Sequence, residues 1–248
     1  MRFAVATVLC LVMSPAAAAQ TQTEEPEPGP LRRFAVTFAK DIKELKSKES
    51  LIIFMNGGIL AALALPVDGS ITLGASSTRF LKAGFGTTGK LLGEEYIQAG
   101  SAAATYLAGA LFDKPKMAAV GRDLMEAQFV SAVTTQALKF SVRRTRPDGE
   151  ARSFPSGHAS ASFASAMVLH RHFGTKVAIP AYGAALYITM SRLQANSHYA
   201  SDILIGAALG MAVGRAATIQ VPGTGIQLTP VAFAGGAGFS VHLRAMAP

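Results

Sequence analysis

The chain has 248 residues, half of them hydrophobic, a formal charge of +8 and a single cysteine. That length supports a full hydrophobic core in one large domain or two small ones. The one thiol, Cys10, lies in an expected export signal, so a mature chain would have no disulfide, thiolate metal site or cysteine nucleophile. The basic balance attracts phosphorylated small molecules, anionic lipid or nucleic acid without distinguishing them. With no Trp and no interleaving of aromatic and basic residues, nucleic acid is not expected as a partner.

Residues 1–19 read as a signal peptide: Arg2, an apolar stretch from Phe3 to Met13, and small residues at Ala17-Ala18-Ala19. An uncleaved anchor is the competing reading, but the apolar run is short for a span. Residues 20–30 are acidic and proline-rich and read as a disordered linker. Leu31, Phe34, Phe38, Ile42 and Leu45 then recur at helical spacing among Arg32, Arg33, Lys40, Lys43, Lys46 and Lys48. This basic amphipathic helix either lies on an anionic membrane surface or docks on the core with a solvated charged face.

Leu51 to Pro66 is apolar but interrupted by Asn56-Gly57-Gly58, which weakens a helix. Residues 67–100 are rich in Gly, Ser and Thr, with short helices expected around 78–85 and 89–98. Ser101 to Phe112 reads as a small-residue helix closed by Asp113-Lys114-Pro115. Lys116 to Arg146 reads as one long helix stopped by Pro147. Helices follow over 156–173, over 177–193 with Pro180 in the first turn, and over 200–219. In the last, Gly206, Gly210 and Gly214 share a face that lets another helix approach closely. No apolar stretch reaches twenty uninterrupted residues. A periplasmic bundle, soluble or membrane-apposed, is therefore expected over a multi-span protein. Alternation in 231–233 and 239–243 around Gly235-Gly236-Ala237-Gly238 marks a small β-hairpin over 221–248.

Three clusters carry chemistry. Lys139 and Arg146 are seven apart, two helical turns, so both side chains are expected on one side of the long helix. They would offer a point charge and a planar fork to phosphate oxygens. The neighbouring Arg143 and Arg144 read as solvated basic residues. In Pro155-Ser156-Gly157-His158, Ser156 is an N-cap candidate, Gly157 admits close approach of a ligand, and free N–H groups there form an anion site. His158 is set to donate a proton to a leaving oxygen. In the third cluster, Ser191-Arg192, His198 and Asp202, the last two are four apart and would share a helical face. A carboxylate on one ring nitrogen leaves the other free to attack phosphorus. His170, His172 and His242 read as structural or surface residues.

Together these motifs resemble the type 2 phosphatidic acid phosphatase superfamily, which includes bacterial acid phosphatases and vanadium haloperoxidases. Lys139 with Arg146-Pro147, then Pro155 to His158, then Ser191-Arg192 with His198 and Asp202 match its pattern without departure. The resemblance covers about Lys116 to Ile219. It implies an all-α helical bundle over 31–220, with the catalytic core at 116–219. It also implies roles: His198 as the nucleophile that becomes phosphohistidine, Asp202 as its orienting acid, and His158 as general acid. Lys139, Arg146, Ser156, Gly157 and Arg192 would bind the phosphate, with no metal and no cofactor. The chain itself has no convincing Asp/His metal cluster.

The expected function is metal-independent hydrolysis of phosphate monoesters, lipid or isoprenoid phosphate or soluble, in the periplasm and in possible association with the membrane. No protein partner is expected. A vanadate-dependent haloperoxidase is the competing enzyme, and a non-catalytic lipid-binding protein at the membrane surface the competing non-enzyme.

Overall fold

The structure, a computed structural model, describes the backbone of residues 30–77, 85–218, 225–233 and 236–244, and most side chains between 36 and 218. The expected signal peptide over 1–19 and nearly all of the linker over 20–30 lie outside the described residues. So do the side chains of the expected hairpin, which stays an expectation.

Nine α-helices make up the described bundle: α1 (Pro30–Glu44), α2 (Lys48–Ala64), α3 (Asp68–Ser77), α4 (Phe85–Gly93), α5 (Glu95–Leu111), α6 (Pro115–Val142), α7 (Gly157–Phe173), α8 (Thr175–Gln194) and α9 (Ala200–Ala217). The apolar stripe of α1 faces protein: Phe38, Ile42 and Leu45 pack on the main core, as in the docked alternative. Asn56-Gly57-Gly58 does not interrupt α2. Gly57 instead lets α2 lie on α9, where a Cβ would sit 2.3 Å from the Cβ of Ala208. A 3₁₀ turn at Leu65–Val67 then carries the chain into α3 without a break. Lys48–Ser77 is thus a 30-residue run, long and apolar enough to cross a membrane. Asn56 and Asp68 do interrupt the apolar sequence, as expected, but they do not interrupt the helical run. Ala200–Ala217 also passes that length and composition test, but it is mostly buried inside the protein.

The helices expected at 89–98 and 101–112 are divided differently. Glu94 separates α4 from α5, and α5 runs through Gln98 to Ser101 despite Gly100. The turn at Asp113-Lys114-Pro115 folds α6 back along α5, with Gly109 against Ala118 and Gly121 against Tyr106. Pro180 is the sixth residue of α8 rather than part of its first turn, and the helix continues past it.

The centre is the pair α7–α9, with α6, α8 and α2 packed around it. The glycine face of α9 meets the backbone of α7: a Cβ at Gly210 would lie 2.2 Å from the carbonyl oxygen of Ser160, and one at Gly214 2.5 Å from that of Ala164. Around them a core of small and branched residues, including Ala127, Val130, Ala164, Val168 and Val213, is fully enclosed. Such contact fixes the two helix starts side by side. Those starts carry the candidate site.

Candidate active site

Lys139 lies in the last turn of α6 and is 8% exposed, with Nζ donating to the carbonyl of Arg152 at 2.9 Å. Burial, reinforced by Arg146, lowers its pKa to about 8. Arg146 is not on that helix, contrary to the two-turn argument. α6 ends at Val142, Arg143 turns left-handed (φ 53°), and Pro147 biases Arg146 away from helical geometry. The loop nevertheless returns Arg146 to the cavity that Lys139 lines. There Nη1 meets Glu150 at 2.7 Å, while Nε is buried without a protein acceptor. Arg192, in the last turn of α8, is 7% exposed. It donates from Nη2 to Ser197 at 2.9 Å, leaving Nε and Nη1 buried and unpartnered. A buried guanidinium with unmet N–H groups is costly unless an anion satisfies them.

The start of α7 is built as its sequence suggests. Ser156 caps the helix, accepting from Ala159 N at 3.4 Å. It is fully buried and does not line the cavity, whereas Gly157 does. The His158 ring rests on Gly93, where a Cβ would come within 2.6 Å of Cδ2, and Nε2 donates to the carbonyl of Lys90 at 3.2 Å. Burial, then Arg192 and His198, lowers the His158 pKa to about 3. The ring is therefore neutral.

His198 and Asp202 do not share a helical face. Tyr199 is the N-cap of α9, so His198 lies ahead of the helix and Asp202 in its first turn. The Asp202 side chain turns back toward the cap. Its Oδ2 accepts from Tyr199 N at 2.9 Å and from the Ser153 hydroxyl, and its Oδ1 takes Arg144 Nη1 at 2.8 Å. His198 Nδ1 faces Oδ2 at 3.8 Å, beyond hydrogen-bond distance, and has no other protein partner. Burial outweighs the nearby carboxylate and lowers the His198 pKa. Catalytic hydrogen bonds are often long before a ligand binds and tighten with it.

Lys139, Arg146, Gly157, His158, Arg192 and His198 all line one cavity of about 1170 Å³. Asp202 stands behind His198 and Ser156 behind Gly157, both fully buried. Sequence reasoning passed over several participants. Arg144, read as solvated, bridges Asp202 to Asp68 of α3. Ser153 holds Asp202. Glu94 and Glu95 also line the cavity, and Glu95 Oε1 lies 2.9 Å from where a Gly157 Cβ would be, over the start of α7. No local pattern marks these residues, because their partners lie tens of residues away in the chain.

Residues 122–225 match the PAP2 superfamily model. Among curated proteins, 81 residues are 42% identical to the lipid A 1-phosphatase of Porphyromonas gingivalis, over 31% of this chain and 18% of that protein. A 96-residue match is 33% identical to the decaprenylphosphoryl-5-phosphoribose phosphatase of Mycobacterium tuberculosis, over 35% of this chain and 52% of that one. The matches thus span less than a fifth and about half of those relatives' lengths. Two crystal structures share the fold. The transmembrane PAP2 type phosphatidylglycerolphosphate phosphatase of Bacillus subtilis aligns with TM-score 0.56 and 21% identity, over 69% of this chain and 94% of that one. Aquifex aeolicus LpxE aligns with TM-score 0.51 and 23% identity, over 62% and 94%.

Proposed function

We propose that this chain, which carries a PAP2 superfamily domain over residues 122–225, is a phosphatase that hydrolyses phosphate monoesters of membrane lipids or isoprenoids by way of a phosphohistidine. One observation carries the reading. Buried N–H groups of Arg146 and Arg192 without protein acceptors line the same cavity as Lys139 and both histidines. A tetrahedral anion with several oxygens fits such a set of fixed donors.

In this mechanism Lys139, Arg146, Arg192 and the Gly157 amide hold the phosphoryl oxygens. Nδ1 of His198 faces Asp202, so Nε2 attacks phosphorus while the bond from phosphorus to the ester oxygen breaks. Asp202 closes on the Nδ1 proton as the ring gains charge. His158 gives the leaving oxygen its proton. The ring is neutral beforehand; bound phosphate puts negative charge beside it, so its proton arrives with the substrate. Water then attacks the phosphohistidine and gives its proton to His158, and phosphate leaves with His198 restored. No step calls on a metal.

The lipid assignment draws on the relatives, named as phosphatases of lipid A and of a decaprenyl-linked sugar phosphate. It also draws on the Lys48–Ser77 run, whose Leu51, Ile59, Leu63 and Leu73 are more than half exposed. That surface suits the acyl region of a bilayer. We read the chain as exported to the periplasmic side, with this run in the membrane.

The test is phosphate release by the purified chain from lipid and soluble monoesters and diphosphates, with chelator present, alongside His198→Ala and His158→Ala. Release that depends on both histidines supports the reading. Undiminished release by either variant rejects the mechanism, and no release from any lipid phosphate rejects the substrate class.

A further inference from the structure

We infer that Asp68 and Arg144 are positioning residues for the hydrolysis proposed above: they hold the Asp202 carboxylate and, through it, the orientation of His198. The inference rests on that reading for its kinetics but not for its geometry.

Asp68 is the only charged residue between Ser50 and Ser77, a stretch otherwise suited to lipid. Ionisable groups in such segments are costly and are kept where a partner and a task exist. Asp68 is 3% exposed, and its carboxylate is fully engaged. Oδ1 accepts from Ser201 N at 2.9 Å, while Oδ2 accepts from the Ser201 hydroxyl and from Arg144 Nη2 at 2.9 Å. A residue of α3 therefore caps the first turn of α9, the turn that contains Asp202.

Arg144 completes the link. Its fork spans the two acids: Nη2 on Asp68 and Nη1 on Asp202 Oδ1 at 2.8 Å and on the Ser201 hydroxyl at 2.7 Å. Its guanidinium also stacks on the Tyr199 ring, 4.1 Å from the centroid. A planar bidentate donor fixes direction as well as charge, which a lysine would not. With Oδ1 held by Arg144 and Oδ2 by Ser153 and Tyr199 N, Asp202 has no freedom to rotate. Its Oδ2 is left aimed at His198 Nδ1. Neither Asp68 nor Arg144 belongs to the three motifs, and Asp68 lies outside the span matched to the superfamily.

The experiment compares wild type, Asp68→Asn, Asp68→Glu and Arg144→Lys in detergent, with three readouts. The first is kcat and KM on whichever phosphate monoester the wild type hydrolyses. We expect Asp68→Asn and Arg144→Lys to lower kcat about tenfold to a hundredfold, as loss of partners that orient metal-bound histidines does. KM should stay within about threefold, and Asp68→Glu should recover part of the loss. The second is binding of inorganic phosphate, which should stay within about threefold and shows that each variant is folded. The third needs no turnover: nitrogen NMR of the His198 ring, identified by its absence in His198→Gln. A single tautomer with the proton on Nδ1 is expected in wild type and a mixture in Asp68→Asn. An unchanged tautomer in Asp68→Asn overturns the inference even if the wild type hydrolyses nothing. So does a loss confined to KM, or a wild-type kcat in Asp68→Asn. Absence of wild-type activity with the expected tautomer change would reject the phosphatase reading and keep the positioning network.

Discussion

The charge on Lys139 should govern how tightly phosphate binds at alkaline pH. Burial lowers its pKa to about 8, whereas a solvated lysine titrates near 10.4. With a depressed pKa the free protein loses this charge as pH rises through 8, two units before an exposed lysine would. A bound phosphate dianion restores the charged form, so binding above pH 8 must take up a proton. If the bound-state pKa returns to its ordinary range, affinity should fall about 25-fold between pH 7.5 and 9.5. Most inorganic phosphate is already the dianion at pH 7.5, and His158 and His198 of the free protein titrate below the window; comparison with Lys139→Arg isolates the lysine. Calorimetry of phosphate binding in buffers of different ionisation enthalpy measures both the affinity and the proton uptake. Lys139→Arg keeps its charge throughout and should show a flat profile. Wild-type affinity constant within about twofold over the window, or the same fall in Lys139→Arg, would refute the reasoning.

Other outcomes follow from the same geometry. Asp202→Asn should reduce kcat by about 10³ to 10⁴, as loss of an orienting carboxylate does in hydrolytic triads, with phosphate affinity changed much less; equal losses in both would point to a collapsed pocket. Glu95→Gln removes an anion from the start of α7 and should tighten binding of inorganic phosphate about three- to tenfold at pH 7 and low salt; weaker binding would make Glu95 a contributor to the site. Gly57→Ala drives a methyl into Ala208, 2.3 Å away, and should destabilise by about 1–3 kcal/mol. The adjacent Gly58 has nothing within 4 Å of its Cβ position, and Gly58→Ala should stabilise by about 0.5–1 kcal/mol. Thermal melts of the pair check both signs. Turnover should survive prolonged chelation, read as phosphate release before and after dialysis against chelator.

The apolar stretch before Pro66 shows where sequence reasoning stopped. Asn56-Gly57-Gly58 looks like a helix breaker in isolation, because glycine propensity is a local quantity. In the fold Gly57 is where α9 comes closest, and packing offsets the propensity. The Lys139–Arg146 spacing failed in the opposite way. A two-turn match is compatible with a helix, but Pro147 and the left-handed Arg143 take the chain out of it. The two cations still reach one cavity, by a loop rather than by periodicity.

Residue types at short spacing were enough to mark α1, α6, α7, α8 and α9, the glycine face of α9, the N-cap at Ser156 and the cations and histidines that line one cavity. Each depends on neighbours within a few positions, and local sterics and hydrogen bonding act over that range. Only the tertiary structure could decide that α7 and α9 start side by side, that Arg144 is a half-buried bridge between two acids rather than a solvated cation, and that Asp68 reaches Ser201, 133 positions later. Charge pairs of that kind form through space between surfaces the chain brings together late. Nothing in either local stretch records them.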